Sequence, residues 1–340
     1  MINTIYRLVA PKLFEEGYEE VFLEDNVVIR PTHLSICQAD QRYYNGSRDP
    51  GILAKKLPLV LIHECIGEVI KDNTETFSSG DMVVIIPNTP TEYDHIISEN
   101  YLKSSKFRSS DFNGFMQDYI ISSPDRLIKL PLNINKKVAS FTELVSVSVH
   151  AITKFSKISH NRKNIIGVWG DGNLGYITSL LLTVFFPDSK VIVFGTNDEK
   201  LNMFSFVDKT FKINEIPSGL TVDHAFECVG GRKSQIAINQ IIDYIEPEGT
   251  VSILGVSEYP IQINTRMILE KGISVFGSSR SGKEDFINTM RIFKNHPIIL
   301  SYLENIISNV FKIRYLTDIN EAFERDFNSN FGKTILIWDK

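Results

Sequence analysis

The segment NIIGVWGDGNLGYITSLLL, residues 164–182, limits the folds open to this chain more than any other stretch. A short apolar run leads directly into Gly170, Gly172 and Gly175, in G-x-G-x-x-G spacing, and then into a helix-forming run. Strand, glycine turn and helix in that order make the opening half of a βαβ unit and the fingerprint of dinucleotide binding. The first glycine permits the turn, the second lets backbone approach a pyrophosphate, and the third lets helix pack closely on strand. The N–H groups at the helix start, those of Asn173 and Leu174 among them, then favour the anion.

The chain around and after this unit keeps the alternation. TELVSVSVHAITKF, KVIVFGT, HAFECVG, TVSILGV and ISVFGSS read as helix and compact apolar strands from about residue 142 onward, which predicts a parallel sheet with right-handed crossovers. For NAD, the second strand should end in an acid that takes the ribose 2′-hydroxyl. Gly195 and Thr196 stand there instead. An uncharged strand end leaves space for a 2′-phosphate, with Thr196 and Asn197 as donors and Lys200 as a nearby cation, and so favours NADP. Asp198 and Glu199 argue the other way, since either acid, shifted by loop length, would still hold the ribose.

Residues 20–145 differ in texture. Short extended runs (VFLEDNVVIRPTHLSI, LIHECIGEVI, DMVVIIP, FMQDYIIS) are broken by Gly, Pro, Asn and Ser clusters, the pattern of a β-rich domain. The tail from about 282 offers two helical stretches, GKEDFINTMRIFKNHP and DINEAFERDF, and a last strand, KTILIWD. These either extend the α/β unit or return to the first domain.

Within the β-rich part, LPLVLIHECIGEV carries His63 and Glu64 side by side in an apolar run. Buried imidazole and carboxylate are costly unless something pairs with them, so they partner each other or face a shared target such as a metal. A zincin helix is excluded, because Gly67 occupies the place of its second histidine. Catalytic zinc takes three protein ligands and keeps a position open, and Cys37 and Glu143 are the other candidates. Each also has a bland reading, Cys37 as a small buried hydrophobe and Glu143 as a first-turn helix acid. Cys65 and Cys228 read as structural.

Composition excludes several function classes. With a net charge of -5 and a pI near 5.9, the chain has no basic footprint for nucleic acid. No window approaches the roughly 18 apolar residues of a membrane span, and the N-terminus lacks a signal pattern. A cytoplasmic protein is the expectation, and three dispersed cysteines form no disulfide framework.

Taken together, these motifs resemble the zinc-dependent medium-chain dehydrogenases and reductases. ICQADQRYYNG is similar to that family's first zinc-ligand region, IHECIGEV to its Gly-His-Glu-x-x-Gly motif, and GDGNLG to its cofactor loop. PNTPTEYD, ENYLKSSKFRSSDFNGFMQDY and DHAFECVGGR further resemble the bacterial ribulose-5-phosphate reductases. The resemblance implies a β-rich GroES-like catalytic domain over residues 1–142 and 282–340 and a Rossmann nucleotide domain over 143–281. It implies Cys37, His63 and Glu143 as ligands of one catalytic zinc per chain, Glu64 as a carboxylate able to bind the metal in place of water, and Asp40 as a residue that orders the site. It also implies NADPH-linked reduction of ribulose 5-phosphate to ribitol 5-phosphate for CDP-ribitol, with a cytidylyltransferase as partner and pairing into a homo-oligomer at the edge strand GISVFGS.

Three departures from the family pattern stand out: Ala39 where relatives have the Ser or Thr of a proton relay, Ile62 for the glycine before the histidine, and Cys65 for a glycine after Glu64. A phosphorylated substrate needs cations near its far end, and Arg42, Lys103 and Arg108 are the expected ones. Two rival readings are an NAD-linked polyol dehydrogenase acting on an unphosphorylated sugar alcohol, and a non-catalytic nucleotide-sensing protein of the same descent.

Overall fold

The computed structural model describes residues 1–329 and 331–340. The chain divides into two compact units, Met1–Ser146 with Ser281–Lys340, and Val147–Arg280. One seam lies inside the helix Thr142–Ile158, so Glu143 belongs to the first unit.

The first unit is built on strand register. Val27–Ser35 runs antiparallel to Glu64–Asp72 on one side and to Lys333–Trp338 on the other. Ser35 lies opposite Glu64, and on its other side opposite Ile335. Three segments far apart in sequence therefore meet at one sheet end: the chain leaving Ser35 toward Cys37, the chain entering at His63, and the strand that starts with Lys333. The close approach requires a glycine, since a Cβ on Gly67 would collide with Ile29 and stand 2.6 Å from the Arg30 carbonyl oxygen. Pro31, with no N–H to give the ladder, falls where the register shifts.

A hairpin, Ile2–Ala10 with Leu13–Glu20, covers the core beside this sheet. Sequence texture did not reveal it, because its second strand, LFEEGYEE, is mostly charged and exposed. Its buried Phe14 meets Tyr44 and Phe323 at ring separations of 5.7 and 5.2 Å. Phe323 comes from the amphipathic helix Leu316–Phe327, so the tail returns to the β-rich unit through both a helix and a strand.

The second unit is a six-stranded parallel sheet. Its strands lie in the order Lys209–Lys212, Lys190–Gly195, Ile165–Trp169, Val222–Glu227, Ile245–Ile253, Ser274–Gly277. Numbered by sequence this is the doubly wound order 3-2-1-4-5-6, with its switch point beside Ile165–Trp169. The apolar runs read as strands are buried on both faces, as Val191–Gly195 and Val222–Glu227 show.

His224, on a central strand of this sheet, is fully buried and accepts the Thr250 N–H at 3.1 Å through Nδ1. Burial, then the neighbouring His160 and Lys163, push its pKa down to about 4 from 6.5. The folded value lies below the unfolded one, so the stabilisation is complete above pH 6.5 and is lost as pH falls toward 4. Thermal unfolding should show it: the midpoint of the natural chain drops over that window, and His224→Gln flattens the drop.

Candidate metal centre and nucleotide site

The sheet end described above carries a cluster of donors. One ligand atom each from Cys37, His63 and Glu64 lies within 4.8 Å of the others, and His63 and Glu64 are buried. Glu143 joins from the first turn of its helix, with Oε2 3.9 Å from His63 Nε2. Burial drives the Glu143 pKa up to about 7, an effect that His63 offsets and Glu64 reinforces. Sulfur, imidazole and carboxylate donors converging in a largely buried site suit a divalent cation of borderline softness. Zinc fits this donor set, which offers one sulfur, one ring nitrogen and carboxylate oxygens within reach of one another.

Asp40 organises the cluster. Its buried carboxylate accepts from Ile62 N–H at 2.9 Å, from Ser109 Oγ at 2.8 Å and from Cys37 N–H at 3.2 Å. Oδ1 also faces His63 Nδ1 at 3.7 Å. Burial alone would lower the His63 pKa, but Asp40 and Cys37 override it and hold the ring well above its usual value. The same contact fixes orientation: Nδ1 points to Asp40, and Nε2 points to Glu143.

Ile62 sits at φ 70°, a left-handed conformation rare for a β-branched residue, at the position where the family pattern has glycine. It is held there from both sides, its N–H on Asp40 and its carbonyl accepting from Phe115 N–H at 2.8 Å. Local strain of this kind persists where the surroundings over-determine it. Here it aims the next residue, His63.

Sequence reasoning missed Lys333. Its ammonium is 2 % exposed, donates to the Ile36 carbonyl at 2.8 Å, and lies 2.9 and 2.8 Å from the two Glu64 oxygens. Only the pairing of the last strand brings it there, and nothing near KTILIWD announces it. Ser109 was missed as well, in a loop read mainly for its cations.

The expected phosphate contacts are placed differently from one another. Arg108 donates to the carbonyls of Asn113 and Ile121 at 3.3 and 2.8 Å and stacks on Phe112 and Phe115. Its terminal nitrogens are thus spent inside the unit. Lys103 is exposed in the loop that leads to Phe107, whose ring lies 5.3 Å from His63. Arg42 is half-buried on the helix Gln38–Tyr44, which also carries Asp40. Cys65 is buried and its thiol pKa pushed far up, as expected of a structural cysteine.

In the parallel-sheet unit the glycine loop forms a cradle. Gly170 has φ 131°, and a Cβ there would press on the Cys228 backbone at 2.9 Å. A Cβ on Gly175 would collide with the Gly170 carbonyl oxygen, whereas one on Gly172 would meet nothing. That open face, at the start of the helix Asn173–Phe185, fits a dinucleotide pyrophosphate. Glu227, also missed from sequence, braces the neighbouring loops by accepting from Val229, Gly230 and Gly255 N–H at 2.9, 2.9 and 3.0 Å.

The end of the second strand differs from the expectation. Asp171, inside the glycine loop, reaches across to it and accepts from Thr196 N–H at 2.6 Å and Asn197 N–H at 2.9 Å. The Asn197 side chain in turn caps the turn by accepting from Lys200 N–H at 3.0 Å. The strand end is therefore not uncharged, and of the donors expected there the Thr196 and Asn197 N–H groups already have an acceptor.

Comparison with known proteins agrees with this architecture. The alcohol dehydrogenase GroES-like domain family matches residues 23–132, and the zinc-binding dehydrogenase family matches residues 188–295. Ribulose-5-phosphate reductase 1 of Staphylococcus aureus is 54% identical over 339 residues, 99% of each chain. Ribulose-5-phosphate reductase of Bacillus spizizenii is 54% identical over 340 residues, 100% of each. The crystal structure of S. aureus TarJ in complex with NADPH superposes with a TM-score of 0.90 at 49% identity over 100% of both chains.

Lys333→Met tests the electrostatics of the cluster. Removing one partner of a buried pair strands the other, so with a chelator present the variant should lose about 3 kcal/mol of stability, read as a lower urea midpoint. An unchanged midpoint would mean that Glu64 does not depend on this lysine.

Proposed function

Since the chain belongs to the zinc-dependent medium-chain dehydrogenases and reductases, within the group of the ribulose-5-phosphate reductases, we propose that it reduces D-ribulose 5-phosphate to D-ribitol 5-phosphate with NADPH. The observation that carries the reading is the convergence of Cys37, His63 and Glu64 on one point at the sheet end. Full-length identity to proteins named for this reaction supports the substrate.

Cys37, His63 and Glu143 would hold one zinc, with Glu64 beside it. When bound, zinc supplies Lewis acidity toward the C2 carbonyl oxygen and NADPH supplies the hydride for its carbon. The chain's own residues do the positioning. Asp40 keeps the His63 Nδ1 side engaged, which leaves Nε2 as the ligating face. Lys333 balances Glu64 and holds it on the sheet side of the cluster. The Phe107 ring packs tilted beside the imidazole, at 5.3 Å between ring centres. Lys103 and Arg42 are the cations for the substrate phosphate, and Arg108 supports the loop that presents Lys103. In the second unit the N–H groups of Asn173 and Leu174, opened by Gly172, would take the pyrophosphate.

Ribitol 5-phosphate would pass to a cytidylyltransferase, giving CDP-ribitol for teichoic acid or capsule. Among the described residues no helix is long and apolar enough to cross a membrane, which accords with work in the cytoplasm on a soluble sugar phosphate. Among the described residues the strand Ser274–Gly277 is the last of its sheet, and its Val275 is exposed. A second copy pairing along that edge would make a homodimer.

NADPH oxidation followed by absorbance should be fast with D-ribulose 5-phosphate and slow with D-ribulose; equal rates would remove the phosphate from the reading. Metal analysis should find one zinc per chain. Cys37→Ala should lose both zinc and turnover, and activity retained without zinc would overturn the metal assignment. Lys103→Ala should raise KM for the sugar phosphate several-fold while leaving KM for NADPH unchanged.

A further inference from the structure

The Asp171 side chain does more than close the glycine turn. One oxygen, Oδ2, accepts from Thr196 N–H at 2.6 Å, Asn197 N–H at 2.9 Å and Thr196 Oγ at 3.2 Å. These groups form the end of the second strand, where a dinucleotide fold reads the adenosine ribose. In the usual arrangement an acid at that strand end takes the 2′-hydroxyl. Here the strand end is Gly195, and a Cβ on it would lie 2.7 Å from both Asp171 Cβ and Oδ2. Gly195 is therefore the residue that admits Asp171, and a carboxylate occupies the reading position by a different chain route.

Two consequences follow for the ligand. A 2′-phosphate arriving at this turn finds the Thr196 and Asn197 N–H groups already bonded to a negative charge. The Asn197 side-chain nitrogen remains for it, since Asn197 engages Lys200 N–H through Oδ1, and Lys200 supplies a cation in the same turn. A ribose 2′-hydroxyl meets the opposite situation: Asp171 Oδ1 carries no hydrogen bond among the described residues, and it can accept one.

Building on the NADPH reading above, we propose that Asp171 is a cofactor-specificity residue that narrows the preference for NADPH over NADH, by competing with the 2′-phosphate for the Thr196–Asn197 turn and by accepting from a free 2′-hydroxyl. It acts on the adenosine end alone and takes no part in hydride transfer.

The test is fluorescence titration of the zinc-loaded protein with NADPH and with NADH, for the natural chain, Asp171→Asn and Asp171→Ala. Asparagine keeps the size and one acceptor but drops the charge, so it preserves the turn if alanine does not. The expected result is a shift of the Kd ratio toward NADPH by about fivefold, the scale of one exposed charge contact, with NADPH tightening and NADH holding or weakening. If both nucleotides weaken together and the ratio stays put, Asp171 is only a brace for the turn and the proposal fails. A shift toward NADH also overturns it. The titration needs no sugar phosphate: if ribulose 5-phosphate is not reduced but the ratio moves as stated, the substrate reading falls and this inference stands.

Discussion

The first unit depends on one buried carboxylate. Asp40 ties together the start of the helix Gln38–Tyr44 through Cys37 N–H, the strained turn before His63 through Ile62 N–H, and the Lys106–Ser110 loop through Ser109 Oγ. Each of these segments brings a group to the cluster: Cys37, His63 and Phe107. A buried charge is tolerated when its lone pairs are satisfied, and here the partners that satisfy it are the elements it positions. Burial raises the Asp40 pKa, yet His63 and the hydrogen bonds outweigh it and leave the net value below the usual carboxylate range. The anion, and hence the arrangement, persists over the ordinary working range of pH.

Around that carboxylate the acids outnumber the bases. Lys333 pairs with Glu64, which leaves Asp40 and Glu143 facing a single imidazole. Burial above all, with the nearby Glu64, favours the protonated form of Glu143 and raises its pKa. A divalent cation would reverse that preference and make the carboxylate a ligand. Metal binding at this residue would then be coupled to proton release.

Much of this was legible in the sequence because the signals were local. The glycine loop after a strand, the apolar strand runs and the pairing of His63 with Glu64 each report on neighbouring residues, and the parallel sheet and the donor types follow from them. What escaped were groups brought in by pairing between distant segments. Lys333 and Glu64 are joined through strand register, Ser109 and Asp40 through a loop, and Asp171 and Thr196 through the span of a βαβ unit. The strand end beside Thr196 looked uncharged because its acid comes from the preceding glycine turn. Arg108 looked like a surface cation because sequence does not show that the carbonyls of Asn113 and Ile121 fold back onto it.

The last strand, Lys333–Trp338, lies inside the sheet, between Val27–Ser35 and Ile307–Ile313. On a ribosome the chain emerges from its N-terminus, so Cys37, His63 and Glu64 are exposed to the cell long before the strand that completes their sheet and the ammonium that neutralises Glu64. The β-rich half must wait, open at an edge, while the whole parallel-sheet unit is synthesised and is free to fold. A product that stops short of Lys333 lacks an inner strand of the sheet as well as the counter-charge of Glu64.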